Sequence, residues 1–477
     1  MTLIPIIILA LNIVFAITIV FIERRNPTAA MAWLLVLFLL PPIGFFLYLL
    51  IGQNHIREKK FNIKREEDLE YLKELFYGQS SLFSSRDHRF TSTELEEYRE
   101  IILLLLKNNW SFLTKNNSVK LYTSGEEKFK ALFHSIKEAK HHIHLEYFIV
   151  KNDSLGKSLI TALAEKAREG VEVRLLFDAL GTRANGGSPE AFRELPEAGG
   201  EIGVFFPTLY QFNYRNHRKI AIFDGTHGMI GGFNIGDDYL GKGPLGEWRD
   251  TAILIEGEGA RMLQLRFFHD WHFTTEKYPA LSLQSAYFPE PISKGDVPLQ
   301  IVSCGPDTKW SPIKEGFLKL IQSARNSISI QTPYFIPDQS ITDALRIAAL
   351  SGVDVRLMIP CKPDHPFVYW ASLSFVGDLL DAGVKAYTYN RGFLHSKTIV
   401  VDRKAGSIGS ANWDVRSFHL NFEENAFFYD SNLGEELAYA FYKDLQDSTE
   451  ITQEDYMNRS RWVRFKESVS RLVSPLA

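Results

Sequence analysis

Cysteine is scarce: Cys304 and Cys361 are the only two in 477 residues, too few for a disulfide framework and without zinc-type spacing, so both read as buried thiols. Neither sign of charge dominates. With 53 Lys and Arg against 57 Asp and Glu, the formal net charge of -4 argues against an overall nucleic-acid coat. Met1-Thr2 offers no cation ahead of the first apolar run, and no small-residue cleavage pattern follows it, which speaks against a cleaved secretory signal. Charge is itself missing from Leu3 to Ile22 and again from Thr28 to Asn54, and each stretch is long enough to span a bilayer. Only Glu23, Arg24, Arg25, Asn26 and Pro27 separate them, so residues 1–54 are expected to form a transmembrane helical hairpin, kinked at Pro41-Pro42. Arg57, Lys59, Lys60, Lys64 and Arg65 outnumber Arg24 and Arg25, which favours a multi-pass cell-membrane protein with its body on the cytoplasmic side.

What the chain does have is internal repetition. The pattern His-x-Lys-x4-Asp-x6-Gly-(Gly/Ser)-x-Asn occurs first as His217, Lys219, Asp224, Gly231, Gly232 and Asn234, then as His395, Lys397, Asp402, Gly409, Ser410 and Asn412. One copy would carry about even odds of meaning nothing. Two copies at identical offsets mark a duplication. It extends further: Gly170-Val171-Glu172-Val173-Arg174-Leu175-Leu176 returns as Gly352-Val353-Asp354-Val355-Arg356-Leu357-Met358, and Ile143 to Ile149 parallels Ile328 to Ile336. Strand, helix, strand in both halves predicts an α/β domain built twice, over residues 116–277 and 299–477, related by a pseudo-twofold axis. A Pro-bearing stretch, 278–298, reads as the linker. Residues 55–115 read as a helical connector, clearest from Leu95 to Leu106, packed on the body.

These residue types suit phosphodiester chemistry. His and Lys two apart on a strand reach the same face, so Lys219 and Lys397, with the amides of Asn234 and Asn412, can clamp non-bridging oxygens. One imidazole can attack phosphorus while the other protonates the leaving alkoxide and later deprotonates an acceptor. Each half owns too few groups alone, which places the site at the seam. Asp224 and Asp402 complete the catalytic motif at the strand ends as structural support, and the glycines are expected to keep backbone close to phosphate. To hold a ring nitrogen as donor, Asp250 and Glu424 are the candidate carboxylates, with Glu423 the rival to Glu424. Clustered carboxylates of the kind used in two-metal sites are missing from both motifs.

The paired motifs resemble those of the phospholipase D superfamily, and the chain as a whole is similar to its bacterial cardiolipin synthases. Supporting stretches are Asn26 to Trp33, His217 to Tyr239, Gly392 to Lys397 and Gly409 to Ser417. The resemblance implies two tandem phospholipase D-like domains, and joining of two phosphatidylglycerol molecules into cardiolipin with release of glycerol through a phosphohistidine. It implies no metal or other cofactor, phosphatidylglycerol and membrane lipids as partners, and no nucleic acid. By similarity His217 attacks and His395 serves as acid, then base. Rival readings are a hydrolytic phospholipase D with water as acceptor, a nuclease, and a non-catalytic lipid-binding membrane protein. The tail from Arg461 to Leu472 mixes cations with apolar residues at helical spacing, and reads either as a solvated cap or as a contact with anionic lipid.

Overall fold

The computed structural model describes residues 3–22, 27–48, 76–85, 90, 92–206, 213–277, 286–290 and 295–474. Arg24, Arg25, the basic run from Arg57 to Arg65 and most of the expected linker lie outside them. In the first half the strands are β1 (Asn117–Tyr122), β2 (His142–Tyr147), β3 (Glu172–Asp178), β4 (Glu201–Phe205), β5 (Arg215–Asn216), β6 (Lys219–Phe223), β7 (His227–Gly231), β8 (Glu247–Arg249) and β9 (Ala252–Gly257). The second half holds β10 (Leu299–Cys304), β11 (Ser327–Gln331), β12 (Phe335–Ile336), β13 (Asp354–Pro360), β14 (Lys385–Tyr389), β15 (Gly392–Leu394), β16 (Thr398–Val401), β17 (Ala405–Gly409), β18 (Trp413–Asp414), β19 (Asn421–Tyr429) and β20 (Ser448–Ile451).

The duplication reappears as topology. One sheet runs β1-β9-β7-β6-β2-β3-β4 and the other β10-β19-β17-β16-β11-β13-β14, extended by β20. Parallel pairing of β2, β3 and β4 requires helical crossovers, and the helix Ser154–Arg168, capped by Asp153 on the Gly156 N–H, supplies the one between β2 and β3. The helix Gln339–Leu350, capped by Asp338, does the same between β11 and β13. β3 is buried on both faces: Val173, Leu175 and Phe177 pack against one layer, and Leu176 against the other, beside the buried side chains of Arg174 and Asp178.

That second layer joins the halves. Ile220, Ile222, Ile253 and Trp271 from the first half share one core with Val400, Phe422, Phe428 and Leu437 from the second. The motif strands β6 and β16 therefore contribute to one packed core, which fixes their relative position to within the tolerance of a close-packed interior. Ahead of the first half, Ile101, Ile102, Leu105 and Leu106 of the helix Arg99–Asn109 are buried, and this helix packs on Pro312–Ser323.

At the start of the chain the helix Leu3–Ile17 runs on as a wider turn, Thr18–Ile22, and packs against Pro27–Leu39 and Pro41–Leu47. The second helix breaks at Leu40, ahead of Pro41-Pro42, where the sequence predicts a kink. Asn12 is fully buried and donates to the Leu37 carbonyl at 3.1 Å, which Pro41 leaves without a helical donor, and to the Pro41 carbonyl at 3.0 Å. Among the described residues, no helix is long and apolar enough to cross a membrane.

Candidate active site

The two halves exchange pairing strands at their seam. β5, which leads into His217, pairs in parallel with β19 of the second half, and the His217 N–H donates to the Phe422 carbonyl at 2.9 Å. β15, which leads into His395, pairs in parallel with β8 of the first half, and the His395 N–H donates to the Arg249 carbonyl at 2.8 Å. Each histidine is thus docked beside a carboxylate of the opposite half, Glu423 after Phe422 and Asp250 after Arg249. His217 Nδ1 lies 2.9 Å from Glu423 Oε1 and Oε2, and His395 Nδ1 lies 2.6 Å from Asp250 Oδ2. With Nδ1–H donating, both rings keep the Nε2 lone pair for chemistry.

The structure places Asp250 against His395 Nδ1 and Glu424 away from both histidines. The register of β19 turns Glu424 away from the cavity, 3.1 Å from Arg218 Nε, while Arg218 Nη1 donates to Asp270 Oδ2 at 2.8 Å. Glu423 takes the orienting position and is held there by the Ser410 hydroxyl at 2.6 Å and the Asn421 amide at 3.1 Å. Asp224 and Asp402 also stand apart from the chemistry. They lie at the far ends of β6 and β16, roughly 20 Å along the strand from the histidines at the usual rise per residue. Asp224 accepts the N–H groups of Lys140, His141 and His142, Asp402 those of Arg325, Asn326 and Ser327, and both take positive φ. Their work is to close equivalent turns.

The motif glycines stand where a side chain has no room. A Cβ at Gly232 would sit 2.1 Å from Asp250 Oδ1, and one at Gly409 would sit 2.3 Å from Asn425 Oδ1. They make room for the orienting carboxylate and the neighbouring strand. In the second copy the longer Glu423 side chain leaves space for Ser410, whose hydroxyl binds it.

His217, His395, Asn234, Asn412, Arg215 and Arg416 line a cavity of about 520 Å³. Lys219 and Lys397 are buried beside them, each bonded through Nζ to the carbonyl of its own motif histidine. Asn234 donates to Tyr239 Oη at 3.2 Å, and that hydroxyl lies 3.3 Å from His395 Nδ1. Asn412 Oδ1 is buried without a hydrogen-bond partner. Glu423, the rival to Glu424 in the sequence reading, takes its place, and Tyr239, Arg215 and Arg416 are site residues that motif reading missed. Tyr239 stands just past the first motif and carried no signal beyond its aromatic type.

A family model described as "Cardiolipin synthase, PLD-like domain" matches residues 132–271 and 317–445, the two halves just described. The chain belongs to the cardiolipin synthases of the phospholipase D superfamily. It is 48% identical over 472 residues to the "Major cardiolipin synthase ClsA" of Bacillus subtilis (strain 168), covering 98% of this chain and 97% of that protein. A "Cardiolipin synthase" of Staphylococcus aureus (strain Mu50 / ATCC 700699) is 46% identical over 98% of this chain and 95% of its own. A model described as "Phospholipase D-nuclease N-terminal" matches residues 10–53. The fold is shared with a crystal structure of phosphatidylserine synthase from Haemophilus influenzae Rd KW20, at a TM-score of 0.57 and 15% identity over 74% of this chain and 92% of that one. The protein is accordingly a phosphatidyltransferase of phospholipid biosynthesis.

Electrostatics at this phosphatidyltransferase site follow from burial. Burial brings the His217 ring down to about 4, Lys219 and Lys397 adding to it and Glu423 opposing. Burial, then Lys397, bring His395 to about 3 against Asp250. Both rings are neutral in the free enzyme at neutral pH. Burial lowers Lys397 to about 8 and Lys219 well below its usual value. For Glu423 burial works upward, but His217, Lys219 and Ser410 together hold the carboxyl below its ordinary range, so it is ionised. An entering phosphodiester anion therefore meets two buried lysines and favours uptake of a proton. Among the described residues, no group of three or more His, Cys, Asp or Glu side chains is arranged to hold a metal ion.

Proposed function

We propose that the site joins two phosphatidylglycerol molecules through a covalent phosphohistidine. His217 Nε2 attacks phosphorus of the first lipid, and the bond to the departing glycerol oxygen breaks as His395 delivers its proton. Free glycerol leaves. A terminal hydroxyl of a second phosphatidylglycerol then loses its proton to His395 and attacks the same phosphorus, releasing His217 and giving cardiolipin. Lys219, Lys397, Asn234 and Asn412 bind the non-bridging oxygens, and the carboxylates of Glu423 and Asp250 stabilise whichever ring carries positive charge.

The observation that carries this reading is the reciprocal pairing of each histidine with a carboxylate of the other half, around one cavity. Product analysis with defined phosphatidylglycerol tests it. Cardiolipin and glycerol in equal amounts support transfer, whereas phosphatidic acid as the sole lipid product means that water resolves the intermediate.

The N-terminal helices are read as a bilayer-embedded hairpin with the body on the cytoplasmic side. Supporting this, Ile13, Val14, Ile17, Phe38, Leu39 and Phe46 are all exposed on the packed pair, an apolar coat that water would penalise. The side of the membrane rests on the basic run after the second helix. Protease treatment of intact spheroplasts tests it: the body should survive until the membrane is opened.

A further inference from the structure

The C-terminal helix Arg461–Val473 faces the protein the wrong way round for a helix that ends in water. Its inward side is polar. Glu467 is buried and bonded to Arg459 at 2.7 Å, Ser470 is buried, and Arg471 donates to Asp378 at 2.6 Å. Lys466 Nζ stands 4.0 Å over the Trp370 ring. Its outward side carries Trp462, Phe465, Val469 and Leu472, at 65%, 56%, 41% and 75% exposure. Spacings of three, four and three put these four on one face, and the Trp462 and Phe465 rings stack at 5.3 Å. A helix free to choose would bury that stripe. Here ion pairs and a cation–π contact hold it outward, with the cations Arg461 and Arg464 also exposed.

The helix also adjoins the site. It packs along Pro366–Leu380, and together they form one lip of the cavity, lined by His365 and Val368 at the start of one and Ser474 at the end of the other. We propose that Arg461–Val473 is a membrane-surface helix that lays the cavity mouth against an anionic lipid surface. This rests on the lipid-substrate reading above, since a phosphodiester headgroup must enter the cavity while its acyl chains stay in the bilayer. Charge complementarity selects the occupant: an apolar stripe bordered by cations fits the boundary between acyl chains and anionic headgroups. It acts apart from the N-terminal helices, tying down the far end of the chain and thereby the tilt of the body.

Nitroxide labels on Phe465→Cys, Leu472→Cys and Ser468→Cys in the full-length Cys361→Ser protein, reconstituted in phosphatidylglycerol-containing vesicles, test the orientation. Labels at 465 and 472 should be oxygen-accessible about 5–10 Å below the phosphates, with 468 in water. All three in water overturns the proposal, as does spin–spin broadening between like labels at 465 and at 472, which would reveal a second copy covering the stripe. These depths are read without turnover, so they stand apart from the assigned reaction. In the Trp462→Ser/Phe465→Ser double variant, turnover on vesicles should fall about tenfold while turnover on monomeric short-chain phosphatidylglycerol is unchanged. Equal loss on both substrates, or loss on neither, overturns it.

Discussion

Glu423 holds both carboxylate oxygens 2.9 Å from Nδ1 of His217, a residue 206 positions earlier in the chain and in the other half of the molecule. His395 and Asp250 repeat the arrangement in reverse, 145 positions apart. Neither half contains a finished histidine. A duplicated domain becomes an active site here only because β5 and β15 cross the seam and borrow their orienting acids.

Glu423→Gln keeps the shape of the side chain and removes its charge. Turnover is expected to fall by about 10²–10⁴-fold with modest loss of stability, because the tautomer and the developing imidazolium lose their support. Glu424→Gln should behave in the opposite way: it weakens the buried contact with Arg218, lowering the melting temperature by roughly several degrees while turnover of the folded enzyme stays within a few-fold. Steady-state kinetics and thermal melts of both variants check the assignment.

Lys397 sits at about 8, lowered by burial, and the sign of its effect on pH dependence is fixed. The ammonium binds phosphate below that value and loses its charge above it, so kcat/KM, which reports the free enzyme, should decline on the alkaline side of about 8. Lys397→Arg stays charged there. Whatever activity it retains should lack that decline.

Binding should take up protons. The His395 ring is neutral in the free enzyme, and delivery of a proton to the leaving glycerol requires it to be protonated in the complex. Calorimetry with an unreactive phosphodiester lipid in buffers of different ionisation enthalpy should show net uptake near neutral pH, reduced in His395→Gln. No uptake would mean that the leaving group finds its proton elsewhere.

Asp224→Ala and Asp402→Ala each remove an acceptor for three backbone N–H groups and leave a non-glycine residue at positive φ. Each should cost about 2–4 kcal/mol of stability by chemical denaturation. Turnover at a temperature where the variant remains folded should change little.

The duplicated motif made the fold legible, because a strand pattern that repeats with its helices repeats its sheet order as well. It also put His217, Lys219, Asn234 and their counterparts in one place. The choice between Glu424 and its rival Glu423 lay beyond the sequence for a physical reason. It depends on strand register: Gly232 bonds to Thr251 and Ser410 to Glu424, which sets Asp250 equivalent to Glu423. Burial could not arbitrate, since all nine residues of β19 are buried. At the motif glycines the strand pattern says that space is short, and only the pairing says that Asp250 and Asn425 fill it. The inverted C-terminal helix was half visible, as its periodicity lay in the sequence but the direction of its apolar face depended on ion pairs with residues far along the chain.

The most direct test of two imidazoles sharing one phosphorus is to quench the enzyme during turnover of headgroup-phosphate-labelled phosphatidylglycerol and map the label. The expected result is acid-labile label on the peptide containing His217, with none on that of His395. Cardiolipin formation at the normal rate by His217→Ala, with no histidine-bound label at any time, would contradict it.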